Sequence, residues 1–467
     1  MRFQLLLATS LFTLSTHAAN WPQFRGPDAV GAGTGKPPVH FGPKTNMVWS
    51  TELPMGHSSP VLWGERIFLT GVDGGKLVTL ALDRASGKVL WNTPAPAEKL
   101  EAAHRISNPA APTACTDGER VVVYFGSYGL LAYDFAGKEL WRHPLPAPIV
   151  EFGSSSSPIL VGDLVIQLCD SDMNSFLVAV DKRTGKQAWK VPRSDHRRGF
   201  ATPFVWRHDG IEELIVNGSL KLSAYDPKTG ALRWTCRGMA RVANASPTTG
   251  DGLLYIASWN IGSDASDKLV LPPHAEFLAL HDKNQDGNLA KDEFPTGPFR
   301  DRFTQFDLDK DGFVTKAEYL GMADQFVQAE NAIFAIKPGG RGDITDTHVV
   351  WKHNRSLPYV ASPLFYQGRI YTVRSGGMAT CYNAKTGEVS YRDERLGALG
   401  DYYSSLAAAD GNVIAISQKG TVTVFNGSSA PEVLARNEMG ETVMSTPAIV
   451  DGRIYLRTEK RLMCFGK

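Results

Sequence analysis

The chain has 467 residues, 43% hydrophobic and 21% charged, a composition with ample material for a packed core. Its 49 basic and 48 acidic side chains leave a net charge of +1, which gives no reason to expect nucleic acid or an anionic membrane as partner. The length admits one large all-β unit or two to three ordinary domains.

At the N-terminus, Arg2, the apolar stretch "FQLLLATSLFTL" and the small-residue site "THA" (Thr16 to Ala18) predict an export signal over residues 1–18. That run is too short to span a bilayer, and no later segment reaches about 18 apolar residues. A periplasmic or secreted protein is expected, without a transmembrane segment once the signal is cleaved. No cysteine follows the apolar run, so a lipid anchor there is not supported. The five cysteines (115, 169, 236, 381 and 464) are widely spaced and odd in number; they read mainly as small buried hydrophobes.

From there one phrase recurs: "SP" or "TP", an apolar run, a Gly/Asp turn, another apolar run, then A-x-D-x-x-T-G-K-x-x-W. "SSPVLWGERIFLTG…LVTLALDRASGKVLW" and "SSPILVGDLVIQLC…FLVAVDKRTGKQAW" are two copies. Runs rich in β-branched and aliphatic residues between such turns predict four short strands per repeat. Gly in "TG" suits a turn position with positive φ. The closing Trp is a large apolar surface that must pack on a neighbouring sheet.

First strands open near Pro60, Pro112, Pro158, Pro203, Pro247, Pro363, Leu406 and Pro447. Closing positions fall at Trp49, Trp91, Trp141, Trp189, Trp234, Trp351, Tyr391 and, degenerately, near Leu434. The two series are out of phase: a closing strand, "MVWSTEL", precedes the first opener, and the last repeat has no closer. In a ring that offset lets the N-terminal strand complete the last blade and hide a sheet edge. The expected fold is therefore all-β, an eight-bladed β-propeller of four-stranded antiparallel blades.

The A-x-D-x-x-T-G-K-x-x-W phrase is similar to the tryptophan-docking motif of pyrroloquinoline-quinone (PQQ)-type propellers, which include quinoprotein alcohol dehydrogenases and the outer-membrane assembly lipoprotein BamB. "NWPQFRGPDAVG" resembles the N-termini of exported PQQ-like repeat proteins. The motif speaks for fold more than for activity.

Openers 247 and 363 are 116 residues apart where 158 and 203 are 45 apart; about 70 residues are extra. The expected organisation is a first propeller part over 19–260, an insertion in blade five over 261–330, and a second propeller part over 331–467. The insertion contains D-x-[DN]-x-[DN]-G-x5-E twice. Calcium takes six to eight hard oxygens, and this spacing curls them round one point. The first loop offers Asp282, Asn284, Asp286, the Asn288 carbonyl and Glu293; the second offers Asp307, Asp309, Asp311, the Phe313 carbonyl, Thr315 and Glu318. By chemistry and by resemblance these are an EF-hand pair for two calcium ions, with the more acidic second loop expected to bind tighter. Leu289 and Val314 stand where paired loops make a short β contact.

Catalytic patterns are thin. The sequence has no G-x-S-x-G, H-E-x-x-H or Walker loop. The resemblance to quinoproteins implies PQQ on the axis under a disulfide of adjacent cysteines, and no two cysteines here are adjacent. Propeller geometry directs attention to residues just before the first strands: His57, Ser58, Arg105, Asn108, Arg241, Asn244, Tyr359 and Tyr402, as a candidate polar funnel. Three functions stand: a non-enzymatic calcium-binding scaffold for a protein or polysaccharide partner, which is favoured; a PQQ-dependent dehydrogenase; and a calcium-dependent hydrolase or lyase with an axial site.

Overall fold

The strands assemble into eight antiparallel four-stranded sheets, one extended by a fifth, parallel strand. The structure is a computed structural model that describes residues 19–467 apart from Ala265, Asp267, Ser428 and the Pro298 side chain. The expected export signal lies outside the described residues. In blade one, Arg66–Asp73 and Lys76–Asp83 are buried along nearly their whole length, whereas the outer strand Val89–Pro94 alternates half-buried and exposed positions. The two middle strands are covered on both faces by neighbouring blades, which is why they read as continuous apolar runs rather than as alternating ones.

The ring closes as the phase offset requires. Met47–Glu52 pairs antiparallel with Arg461–Phe465, placing Trp49 opposite Cys464. A second device closes it near the axis. The Ser59 N–H donates to Thr113 Oγ1, Thr113 to Ser157, Ser157 to Thr202 and Thr202 to Ser246, at 2.9–3.1 Å. Ser246 donates to Ser362, Ser362 to Ser405, Ser405 to Thr446 and Thr446 back to Ser59, at 3.0–3.1 Å. Each blade thus contributes one hydroxyl and one N–H to an unbroken circle of eight bonds. In blade two the hydroxyl follows Pro112 instead of preceding the opener, so its first strand begins a little later, at Cys115–Thr116.

Tryptophans tie the rim. The indole N–H of Trp49, Trp91, Trp141, Trp189 and Trp351 each reaches a carbonyl of the next blade, on Arg84, Phe135, Lys182, Pro227 and Ala384, at 2.8–3.2 Å. Each indole lies on the turn glycine of that blade: a Cβ on Gly387 would stand 2.5 Å from Trp351 Cγ, at φ +74°. The glycine serves both the left-handed turn and the close approach of the indole. Trp234 is different, because blade five replaces the "TG" turn with "PGGRGDITD". Its N–H donates to Glu213 Oε2 at 3.0 Å, and Gly342–Asp343 runs parallel to blade four as its fifth strand.

The segment after residue 18 lies against the blades as well. Trp21 pairs with Leu62, and Ala32 with Ala408. Arg25, fully buried, donates to the carbonyls of Pro247 at 3.2 Å and Pro363 at 2.6 Å. All five cysteines are buried and unpaired.

The insertion leaves blade five after Leu253–Ser258 and returns at Ala332–Ile336, which pair with one another. Such a turn between adjacent strands accepts an insertion without breaking the sheet. It folds as helix His274–His281, short helices Pro298–Asp301 and Phe303–Phe306, and helix Lys316–Gln328. Phe277, Phe294, Phe303, Phe306, Tyr319 and Phe326 belong to a core of its own.

Candidate metal loops and axial cavity

Two twelve-residue loops, 282–293 and 307–318, follow helices His274–His281 and Phe303–Phe306, the second loop ending in the first turn of helix Lys316–Gln328; they are joined by the pairing Leu289↔Val314 and Ala290↔Phe313. Each loop is curled by its own carboxylates. Asp282 Oδ2 accepts from Gly287 N–H at 3.0 Å and Asp307 Oδ2 from Gly312 N–H at 3.1 Å. Gln285 and Lys310 adopt positive φ, as do Gly287 and Gly312, so the backbone doubles back within each loop. The terminal glutamates are held at both oxygens. Glu293 accepts from Lys283 and Ala290 N–H at 2.9 and 2.8 Å, Glu318 from Leu308 and Thr315 N–H at 2.8 Å.

One buried side-chain oxygen in each loop has no partner. Asp282 Oδ1 and Asp307 Oδ1 are buried without a hydrogen bond. A buried carboxylate oxygen left bare is costly. Ligand oxygens of Asp307, Asp309 and Asp311 lie within 4.8 Å of one another. Burial raises the Asp307 carboxyl above its usual range, opposed by the Gly312 N–H and reinforced by Glu318 and Asp311. Bare, converging hard oxygens fit a divalent cation of the calcium type. Thr315 takes a different part: its hydroxyl accepts from Glu318 N–H at 3.3 Å and donates to Glu318 Oε2 at 2.8 Å, capping helix Lys316–Gln328. That cap engages Thr315 and one oxygen of Glu318 with each other.

The axial cavity, of about 270 Å³, is lined by the whole hydroxyl circle, by Phe24 from the N-terminal segment, and by Arg302 and Gln305 from the insertion. The insertion thus reaches over the ring axis. Gln305 links both sides: its Oε1 accepts from Arg241 at 3.4 Å and its Nε2 donates to Glu151 at 3.4 Å. Arg241 also lies over the Phe326 ring at 4.7 Å. Burial lowers Arg241 to about 10, with Arg198 and Arg302 adding to the effect. Arg198 is matched, gripping Asp172 through two bonds of 2.6 and 2.7 Å and Glu151 at 3.2 Å. His57 is drawn down to about 4 by burial and by Arg457, so it is a neutral imidazole at physiological pH.

Of the expected funnel residues, the structure brings His57, Arg241, Asn244 and Tyr359 together round this cavity. Asn244 donates to the Tyr359 carbonyl at 3.1 Å, joining blades five and six. Ser58 is buried behind it, bonded to Arg457 at 2.6 Å. Three others do not line the cavity. Arg105 is exposed; Asn108 closes its own turn by accepting from Ala110 N–H at 2.8 Å; Tyr402 is buried in the core of blades six and seven, donating to the Ala398 carbonyl at 2.9 Å, and Tyr403 lines the cavity instead. The hydroxyl circle escaped sequence reading because a Ser or Thr before Pro reads as a turn residue. Its recurrence at each opener was the available signal.

The family model described as "Outer membrane protein assembly factor BamB" matches residues 40–208, 174–271 and 341–465, well over half of the chain. The chain belongs to that family. The matched segments flank the insertion, most of which no segment covers. No curated protein sequence matches significantly. Among solved structures, BamB from Moraxella catarrhalis is similar at TM-score 0.56 and 15% identity, covering 90% of this chain and 97% of that one. The quinohemoprotein alcohol dehydrogenase from Comamonas testosteroni is similar at TM-score 0.53 and 12% identity, covering 97% and 82%. A computationally designed protein, Ika8, reaches 0.55 at 10% identity, covering 90% and 99%. At such identities the BamB-family chain shares a fold with each, and nothing about activity transfers. No helix among the described residues is long and apolar enough to cross a membrane.

Proposed function

We propose that this BamB-family propeller is an exported, calcium-binding scaffold without catalysis of its own, which docks a protein or polysaccharide partner. The observation that carries the calcium part is the pair of buried, partnerless oxygens on Asp282 and Asp307, each at the first position of a curled acidic loop. Asp282, Asn284, Asp286, the Asn288 carbonyl and Glu293 would hold one ion as an EF-hand. Asp307, Asp309, Asp311, the Phe313 carbonyl and Glu318 would hold the other, with Thr315 fixing Glu318. When bound, calcium supplies positive charge that replaces the mutual repulsion of these carboxylates.

The position of the loops supports the scaffold part. The ring is stitched at its axis and at its rim, a rigid platform, and the insertion projects from one inter-strand turn with its own core. Calcium would order this appendage rather than the ring. Partner capture from envelope extract tests it: calcium-loaded protein should retain a partner that a chelator releases. Capture indifferent to the chelator would separate the insertion from partner docking. Export is tested by fusing residues 1–18 to a reporter active only outside the cytoplasm.

A further inference from the structure

The axial cavity holds a charge that its walls do not match. Arg241 is 5% exposed, and among the described residues no carboxylate lies within ion-pair distance of it. Its Nε has no hydrogen-bond partner, and its one side-chain bond is a long one to the neutral Gln305. Arg302, from the insertion, stands close enough to depress it further. The carboxylates at hand, Asp172 and Glu151, are both engaged by Arg198. Asp401, at the rim beside Tyr403, is exposed to solvent. Three guanidinium groups therefore face two carboxylates, one of which Arg198 already holds through two bonds.

The hydroxyl circle adds to this. Each of its eight oxygens accepts a backbone N–H, and among the described residues none of the eight O–H groups has an acceptor. All eight line the same cavity as Arg241. A buried guanidinium and a girdle of free O–H donors are complementary to an anion rich in acceptor oxygens. At about 270 Å³ the space is just below the range of pockets for drug-sized ligands, which suits a small molecule. Phe152, Phe200 and Val242 add apolar wall, suited to a carbon skeleton rather than a bare ion.

We propose that the axial cavity is a binding site for a small organic oxyanion, held by Arg241 with Arg302 of the insertion, its remaining oxygens facing the hydroxyl circle. The site is separate from the calcium loops and from the surface that would dock a macromolecule. A carboxylate and a phosphate share this chemistry, and the probes distinguish them.

Calorimetry on the full chain with glucuronate, acetate, glycerol 3-phosphate and neutral glucose tests the site. At least one organic anion should bind with a dissociation constant below about 10 mM, glucose should not, and binding should weaken with added salt. Arg241→Gln should lower affinity about tenfold or more, and Arg241→Lys should recover part of it. Arg302→Gln, on a half-buried residue of the insertion, should weaken binding without touching the ring. Absence of anion binding by the wild type, glucose binding equal to glucuronate, or unchanged affinity in a folded Arg241→Gln or Arg302→Gln chain would overturn the proposal. If Arg241→Gln does not fold, Arg302→Gln decides alone.

Discussion

The Thr446 N–H donates to Ser59 Oγ at 3.0 Å across 387 residues of sequence, and this bond completes the circle that the other seven blades began. Closure therefore rests on two sites far apart in space: this one at the axis, and the pairing of Met47–Glu52 with Arg461–Phe465 toward the rim.

Ser59→Ala removes the acceptor and leaves the buried Thr446 N–H bare, a loss of about 1–3 kcal/mol. Ser59→Thr should be far milder, because Thr occupies the equivalent place in blades two, four and eight. Thermal unfolding of the two variants checks this. An equal loss in both would show that side-chain fit, and not the hydroxyl acceptor, matters there.

Two glycines of similar backbone separate strain from packing. Gly252 has φ +80° and open space where a Cβ would go; Gly387 has φ +74° and Trp351 against it. Gly252→Ala should cost about 1–2 kcal/mol of left-handed strain. Gly387→Ala should exceed it by about 1–3 kcal/mol, because the indole must move. Denaturant midpoints read the difference, and equal losses would remove the indole from the account.

Acid should weaken the ring through His57. Its folded pKa of about 4 lies below the ordinary 6.5, so between these values the unfolded chain binds a proton that the fold excludes. The sign is then clear: stability is fully present above pH 6.5 and falls as pH drops toward 4. The ceiling is about 3 kcal/mol for a shift of this size. His196, held neutral by burial and Arg193, acts in the same direction. His57→Gln should flatten the decline in unfolding midpoint between pH 6.5 and 4. An unchanged decline would assign it to His196 and other groups.

Gln305, which bridges Arg241 and Glu151, stands two residues before Asp307. An ion in the second loop and an anion in the axial cavity should therefore favour one arrangement of the insertion. Calcium should tighten the anionic probe about fivefold or more, and the probe should tighten calcium by the same factor. Measured affinities that do not change with the other ligand would show that the two sites act independently.

Much of this architecture was legible in the sequence, for reasons of period. Most blades repeat the same apolar runs, a turn glycine and a closing Trp, and the early closer around Trp49 announced how the ring shuts. The insertion was visible as a gap in that rhythm. Trp234 broke the pattern because its docking partner depends on the next blade's turn, and blade five had lost it. The cavity was legible in half. Whether a pre-strand residue faces the axis depends on how its loop is pinned, as the turn of Asn108 and the buried bond of Tyr402 to Ala398 show. Arg302 and Gln305 come from a segment whose position over the axis no local pattern records.

The two curled loops are tested most directly by calorimetric titration of the full chain with calcium, beside Asp282→Asn, Asp307→Asn and the double variant. Two ions should bind the wild type, the tighter one lost in Asp307→Asn, the weaker in Asp282→Asn, and both in the double variant while its ring stays folded. No calcium heat from the wild type, or the same heat from the double variant, would contradict the account.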